Sequence, residues 1–149
     1  MSFTKGLNHK VVTSFDGHQV NTYSNRINGI DSKRPVFILN SGLVCRFSWW
    51  YYLLPFLHDQ GQQFIIHEYR GHFDQSFKMQ KDKILFSTFA KDIKAIVDSY
   101  ELKEIICVGH SMGVNISLEF ICEHPEYVNA AIFLSGSYLA PSDFVFNTH

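Results

Sequence analysis

The chain lacks several things, and each absence narrows its class. It has no surplus of either charge: 13 Lys and Arg stand against 14 Asp and Glu, for a net charge of −1. Nothing in that balance favours nucleic acid or an anionic membrane surface as partner. It has no apolar run near the roughly 20 residues that a membrane span needs. The opening residues Met1 to Gly6 lead into polar sequence without the apolar core of a secretory signal. Cysteine is scarce and odd in number; Cys45, Cys107 and Cys122 have neither disulfide-framework nor metal-ligand spacing. They read as reduced thiols, so a cytoplasmic protein without a bound metal is expected. There are no internal repeats and no low-complexity segments.

What is present is globular. With 46% hydrophobic and 18% charged residues over 149 positions, the chain is long enough for one domain that buries roughly 70% of its unfolded surface. Residues 10–15 and 18–24 read as two strands joined by a two-residue Asp16-Gly17 turn. The short apolar runs 36–39, 63–69, 104–108 and 130–135 read as strands buried on both faces. Between them, residues 47–61, 86–100 and 112–124 read as helices, with Pro55 kinking or restarting the first. The first helix carries Trp49, Trp50, Tyr51, Tyr52 and Phe56. Most of these are expected in the core, and one or two against an acyl pocket or beneath a part of the molecule that this chain does not contain. Residues 77–84 are polar and lysine-rich, a surface loop. Strands alternating with helices predict an α/β fold, a mostly parallel sheet with helices on both faces. The active site of such a sheet lies at the carboxyl ends of its strands.

One turn at that end organises the rest. Gly109, Ser111 and Gly113 form G-x-S-x-G between a buried strand and a helix, the context that makes the pattern a nucleophile elbow. The turn lifts the Ser111 side chain off the sheet in a strained conformation. A Cβ two residues before or after would collide with the turn, hence the glycines. The helix that follows aims free N–H groups at the place where an oxyanion would form, Met112 N–H among them. Asn40-Ser41-Gly42-Leu43-Val44, directly after a buried strand, can supply a second N–H from Gly42 or Leu43. A glycine-flanked serine in an ordinary loop, and a plain strand exit, are the simpler readings of the same residues.

Taken together, the stretch 37–43, the stretch 50–57, Glu68-Tyr69-Arg70-Gly71-His72 and Gly109-His110-Ser111-Met112-Gly113 resemble the N-terminal half of an α/β-hydrolase-fold protein of the serine hydrolase type. The resemblance covers about residues 11–137. It implies Ser111 as nucleophile, Met112 N–H as one oxyanion donor and the Gly42–Leu43 loop as source of the other, with no cofactor. The chain departs from the family where Ser41-Gly42 stands for the frequent His-Gly, where Phe73 replaces a second glycine, and where Ser76 lies one residue late. The largest departure is at the end. The family's sheet runs for two more strands, usually after a cap, and the catalytic acid and histidine come from that part. Residues 1–149 are therefore expected to be a single, C-terminally truncated core domain.

No histidine of this chain fits the family's base. His67 lies in a strand, His72 in the loop after it, and His110 beside the nucleophile. His124 is roughly 18–20 Å away at the far end of the elbow helix, and His149 closes the tail. Asp143 stands where some members place their acid, an open assignment. A serine without a base is a weak nucleophile. Two readings follow. One is a serine hydrolase of esters, lactones or thioesters, inactive as this chain alone, with a small acyl substrate. The other is a non-catalytic ligand- or partner-binding protein. The strand 130–135 has no later strand to cover its outer edge, which predicts self-association or a second polypeptide there.

Overall fold

A computed structural model of the chain describes residues 6–26, 28–72 and 85–136. Among these residues six strands form one mixed sheet: β1 (Asn8–Thr13), β2 (Gln19–Ser24), β3 (Val36–Asn40), β4 (Gln63–His67), β5 (Ile105–His110) and β6 (Val128–Leu134). Their spatial order is β1-β2-β4-β3-β5-β6. β1 pairs antiparallel with β2, and β2 antiparallel with β4, whereas β4, β3, β5 and β6 run parallel. The helices are α1 (Leu53–Asp59), α2 (Phe86–Ser99) and α3 (Met112–Glu123).

Side chains alternate across a strand, so each central strand feeds two cores. Ile38, Ile65 and Cys107 face a layer containing Phe89, Ile93 and Ile96 of α2 and Ile116 and Phe120 of α3. Their neighbours Leu39, Phe64, Ile66 and Val108 face the other way, onto Trp50 and onto Leu54 and Leu57 of α1. Burying each such side chain contributes about 1.5–3 kcal/mol. Burial on both faces explains the unbroken apolar runs.

This layering makes the crevice. β3 is central, and the chain leaves it toward α1 on one face, while the adjacent β5 leads to α3 on the opposite face. Two neighbouring strands whose connections diverge leave a gap at their carboxyl ends, where ligands bind in open α/β sheets. The exit of β3 at Ser41-Gly42 and the exit of β5 at Ser111 both fall there.

Several expectations need correction. The hairpin turn is longer than Asp16-Gly17 alone. Gly17 N–H donates to Ser14 O (3.0 Å) and Ser14 N–H to His18 O (2.8 Å). Gly17 has φ +83° but Asp16 does not have positive φ, which gives a three-residue loop closing on a left-handed glycine. The single helix 47–61 is two pieces, a 3-10 turn Phe47–Trp50 and then α1. Pro55 lies in the first turn of α1, where its missing N–H costs no helical bond. Among the aromatics of that stretch only Trp50 is buried; Trp49, Tyr51, Tyr52 and Phe56 are exposed. β4 ends at His67, two residues before the expected end, and β5 continues to His110, the residue before Ser111. β6 begins at Val128, and its outer side chains Ile132, Phe133 and Leu134 are 41–44% exposed. The 77–84 loop, Phe73 and Ser76, Asp143 and His149 lie outside the described residues.

Candidate active site

Ser111 sits between the last residue of β5 and the first of α3, exposed, with φ 52° and ψ −119°. That backbone region is nearly closed to residues with a Cβ, and occupying it costs of order 1–3 kcal/mol unless surrounding structure enforces it. Two backbone hydrogen bonds do so. Ser111 N–H donates to Leu134 O on β6, and Val114 N–H donates back to Ser111 O, each at 3.0 Å. The flanking glycines are sterically required. A Cβ on Gly109 would lie 2.7 Å from Gly113 O, and one on Gly113 would lie 2.0 Å from Asn40 O.

The contact at Gly113 brings the β3 exit against the elbow. Gly42 is packed on Ser111 itself: a Cβ built on Gly42 would lie 3.2 Å from Ser111 Cβ, 3.1 Å from His110 Nδ1 and 3.2 Å from Cys45 Sγ. The strap is pinned from three sides. Trp50 Nε1–H donates to Ser41 Oγ (2.8 Å), Tyr69 O–H donates to Ser41 O (3.0 Å), and Cys45 N–H closes a turn onto Gly42 O (3.2 Å). Val44 within that turn has φ 57°, an unusual conformation for a β-branched residue. Leu43 and Val44, which follow Gly42, are exposed. The sequence-predicted residues Gly42, Gly109, Ser111, Met112 and Gly113 are thus brought together, with Leu43 next to them. The first N–H groups of α3 have no partner inside the helix and carry its positive dipole end.

The histidines divide by environment. His110 stacks on Trp49 with ring centroids 4.1 Å apart and meets Trp50 edge-on. Burial holds its pKa below the usual value. His67 is buried at the end of β4, and its Nε2 is 2.9 Å from Asn40 Oδ1. Burial lowers its pKa to about 4, outweighing the opposing charge of Asp92. His72 is also lowered, by burial against its contact with Arg70 O. His124 ends α3 among Phe120 and Tyr127.

Two polar groupings were not anticipated from the sequence. The first centres on Arg70, shortly after the end of β4. It is fully buried, bonding Asp92 of α2 through Nε (2.8 Å) and through a second, shorter contact, and Asp16 of the hairpin loop at 2.9 Å. Ser14 Oγ–H donates to the same Asp92. Burial pulls the Arg70 pKa down, but the two carboxylates more than offset it, and the guanidinium stays charged. The other grouping links His67, Asn40, Ser117 and Gly113 beneath the elbow. The signal for both was a charged or amide residue inside or directly after an apolar run.

The described residues contain no cluster of His, Cys, Asp or Glu that could hold a metal ion, and no helix among them is long and apolar enough to cross a membrane. A sheet with β3 and β5 diverging around an elbow serine defines an α/β-hydrolase core. The sequence model of the family described as alpha/beta hydrolase fold matches residues 35–148, and the chain belongs to that family. It is similar to the uncharacterized hydrolase YugF of Bacillus subtilis, 34% identical over 80 residues that cover 52% of this chain and 29% of that protein. It is also similar to human protein ABHD8, 28% identical over 87 residues covering 58% of this chain and 20% of that one. Among solved structures, an epoxide hydrolase from Vigna radiata aligns with TM-score 0.78 at 19% identity over 91% of this chain and 42% of its own. An esterase from Exiguobacterium antarcticum aligns with TM-score 0.73 at 20% identity over 88% and 46%. The chain spans less than a third of the curated relatives and under half of these two structures.

Proposed function

We propose that this chain carries the nucleophile and oxyanion half of a serine hydrolase that cleaves carboxylic esters, lactones or thioesters through an acyl-enzyme. One observation supports this most: an exposed serine held at φ 52° and ψ −119° between β5 and α3, with Gly42 packed against it. Ser111 Oγ would attack the acyl carbonyl, and its proton would pass to a base. The tetrahedral oxyanion would be met by Met112 N–H and by an N–H of Gly42 or Leu43, aimed before the reaction begins. The Exiguobacterium neighbour, an esterase, is in keeping with this class.

The base lies outside the described residues in this reading. His67 is committed to Asn40 and His110 to Trp49, and His124 is at the other end of α3. Without a base, an oxyanion hole alone supports roughly 10³–10⁴-fold catalysis over water. The test is hydrolysis of p-nitrophenyl acetate by the 149-residue chain, by a longer protein containing it, and by Ser111→Ala of each. The chain alone is expected to match its Ser111→Ala variant, and the longer protein to lose nearly all activity on that substitution. A Ser111-dependent burst from the chain alone overturns the external base. A longer protein indifferent to Ser111→Ala overturns the nucleophile.

A further inference from the structure

Beneath the elbow, three buried polar side chains from three elements are joined in a line. Ser117 Oγ lies 2.7 Å from Gly113 O, Asn40 Nδ2 lies 2.8 Å from Ser117 Oγ, and His67 Nε2 lies 2.9 Å from Asn40 Oδ1. Asn40 and Ser117 are wholly inaccessible and His67 nearly so. The order of donors is forced. A carbonyl only accepts, so Ser117 spends its single proton on Gly113 O and must accept from the Asn40 amide. Asn40 Oδ1 is then left to accept, and His67 Nε2 must carry the proton. His67 Nδ1 is correspondingly a lone pair, buried and without a hydrogen-bond partner among the described residues.

Such a line has little to offer stability, because replacing a bonded buried set by apolar groups of similar shape is nearly neutral. What it does offer is direction. It runs from the end of β4, through the last residue of β3, into the first turn of α3. β3 is the strand whose exit carries Gly42, and α3 is the helix whose start carries Ser111 and Met112. The backbone at Gly113 lies too close to the Asn40 and Ser41 carbonyls to admit a Cβ, so the line and this close approach fix the same spacing.

We propose that His67 is a positioning residue: as the Nε2–H tautomer, through Asn40 and Ser117, it sets the distance between the elbow of Ser111 and the strap of Gly42. Its bearing on catalysis rests on the serine hydrolase reading; the structural link does not.

Nitrogen-15 NMR of the 149-residue chain tests it. The His67 ring is expected protonated at Nε2 at neutral pH, and a bare Nε2 overturns the proposal. His67→Gln, whose amide N–H reproduces Nε2–H, is expected to keep hydrogen exchange at the Ser111 and Val114 amides, the two that close the elbow. His67→Phe, similar in shape without a donor, is expected to speed exchange at both by about tenfold, the order of one lost hydrogen bond, and to shift the Gly42 amide resonance. Equal behaviour of the two variants overturns the proposal. If His67→Phe does not fold, Ser117→Ala carries the test: the same amides respond in support, and unchanged amides overturn it. Labelling of Ser111 by a fluorophosphonate, followed by mass spectrometry in a longer form, separates the two ideas. Amides that respond while Ser111 never labels leave the link standing and remove the hydrolase reading.

Discussion

At Ser111 the side chain and the backbone make opposite demands. The proposed chemistry asks for a hydroxyl, and φ 52° with ψ −119° asks for glycine. Ser111→Gly should therefore be more stable than Ser111→Ala by about 1–2 kcal/mol, since both lose the hydroxyl but only glycine loses the strain. Paired urea titrations measure it, and equal midpoints would mean that the turn is relaxed. Gly113 poses the converse problem. Its missing Cβ is what lets the Asn40 carbonyl approach, so Gly113→Ala must move backbone by more than 1 Å and should cost about 3 kcal/mol. A near-neutral thermal shift in that variant would show that strap and helix are not in contact. Both residues were legible from the sequence because the elbow is a local device, set by five consecutive residues. His67 and Asn40 were not, because whether a polar residue at a strand end faces solvent or a core depends on which strands flank it.

Between elements, the decisive link is Arg70. It ties the loop after β4 to α2 through Asp92 and to the β1–β2 loop through Asp16. Replacing it by methionine leaves Asp92 buried beside Ser14 with its charge uncompensated, and breaking such a pair costs about 3–5 kcal/mol. Arg70→Met should unfold at correspondingly lower urea, and the double variant Arg70→Met with Asp92→Leu should recover much of the loss. No recovery would mean that the two do not act as a pair. The apolar stripe of α2 was readable from its period. Asp92 on that stripe was not readable as buried, since its partners come from 22 and 78 positions earlier in the chain. The 47–61 segment shows the opposite failure. Its apolar content satisfied a helix pattern, but Trp49 stacks outward on His110 of another element and the chain breaks into two short pieces.

For the whole molecule, pH and association offer the sharpest checks. His67 is held near 4 in the folded state against 6.5 when free. The unfolded chain therefore takes up this proton first as pH falls. Stability does not depend on this group above about pH 6.5 and declines between there and about pH 4, by about 3 kcal/mol in all, because burial penalises the charged ring. Urea titrations at pH 7.5, 6 and 5 should show that decline, and His67→Gln should flatten it; an unchanged slope in the variant assigns the decline to other groups. β6 is the second check. Among the described residues its outer edge pairs with no strand, and Ile132, Phe133 and Leu134 remain accessible. Such an edge is a template for another chain. Sedimentation should show concentration-dependent association of the purified chain that Phe133→Lys weakens. A dilute monomer indistinguishable from that variant would refute an open edge.

The sequence by itself determined the α/β class, the strand and helix sites along the chain, and the glycine-framed serine turn. These follow from period, from short apolar runs and from backbone sterics, all of which act over a few residues. Tertiary structure alone decided that β3 lies between β4 and β5. That order places Gly42 on Ser111, gives Asn40 two buried partners from other elements, and encloses Arg70. Strand order is a choice among long-range pairings of similar apolar segments, and the difference between them lies in the packed sheet as a whole, not in any one stretch of residues.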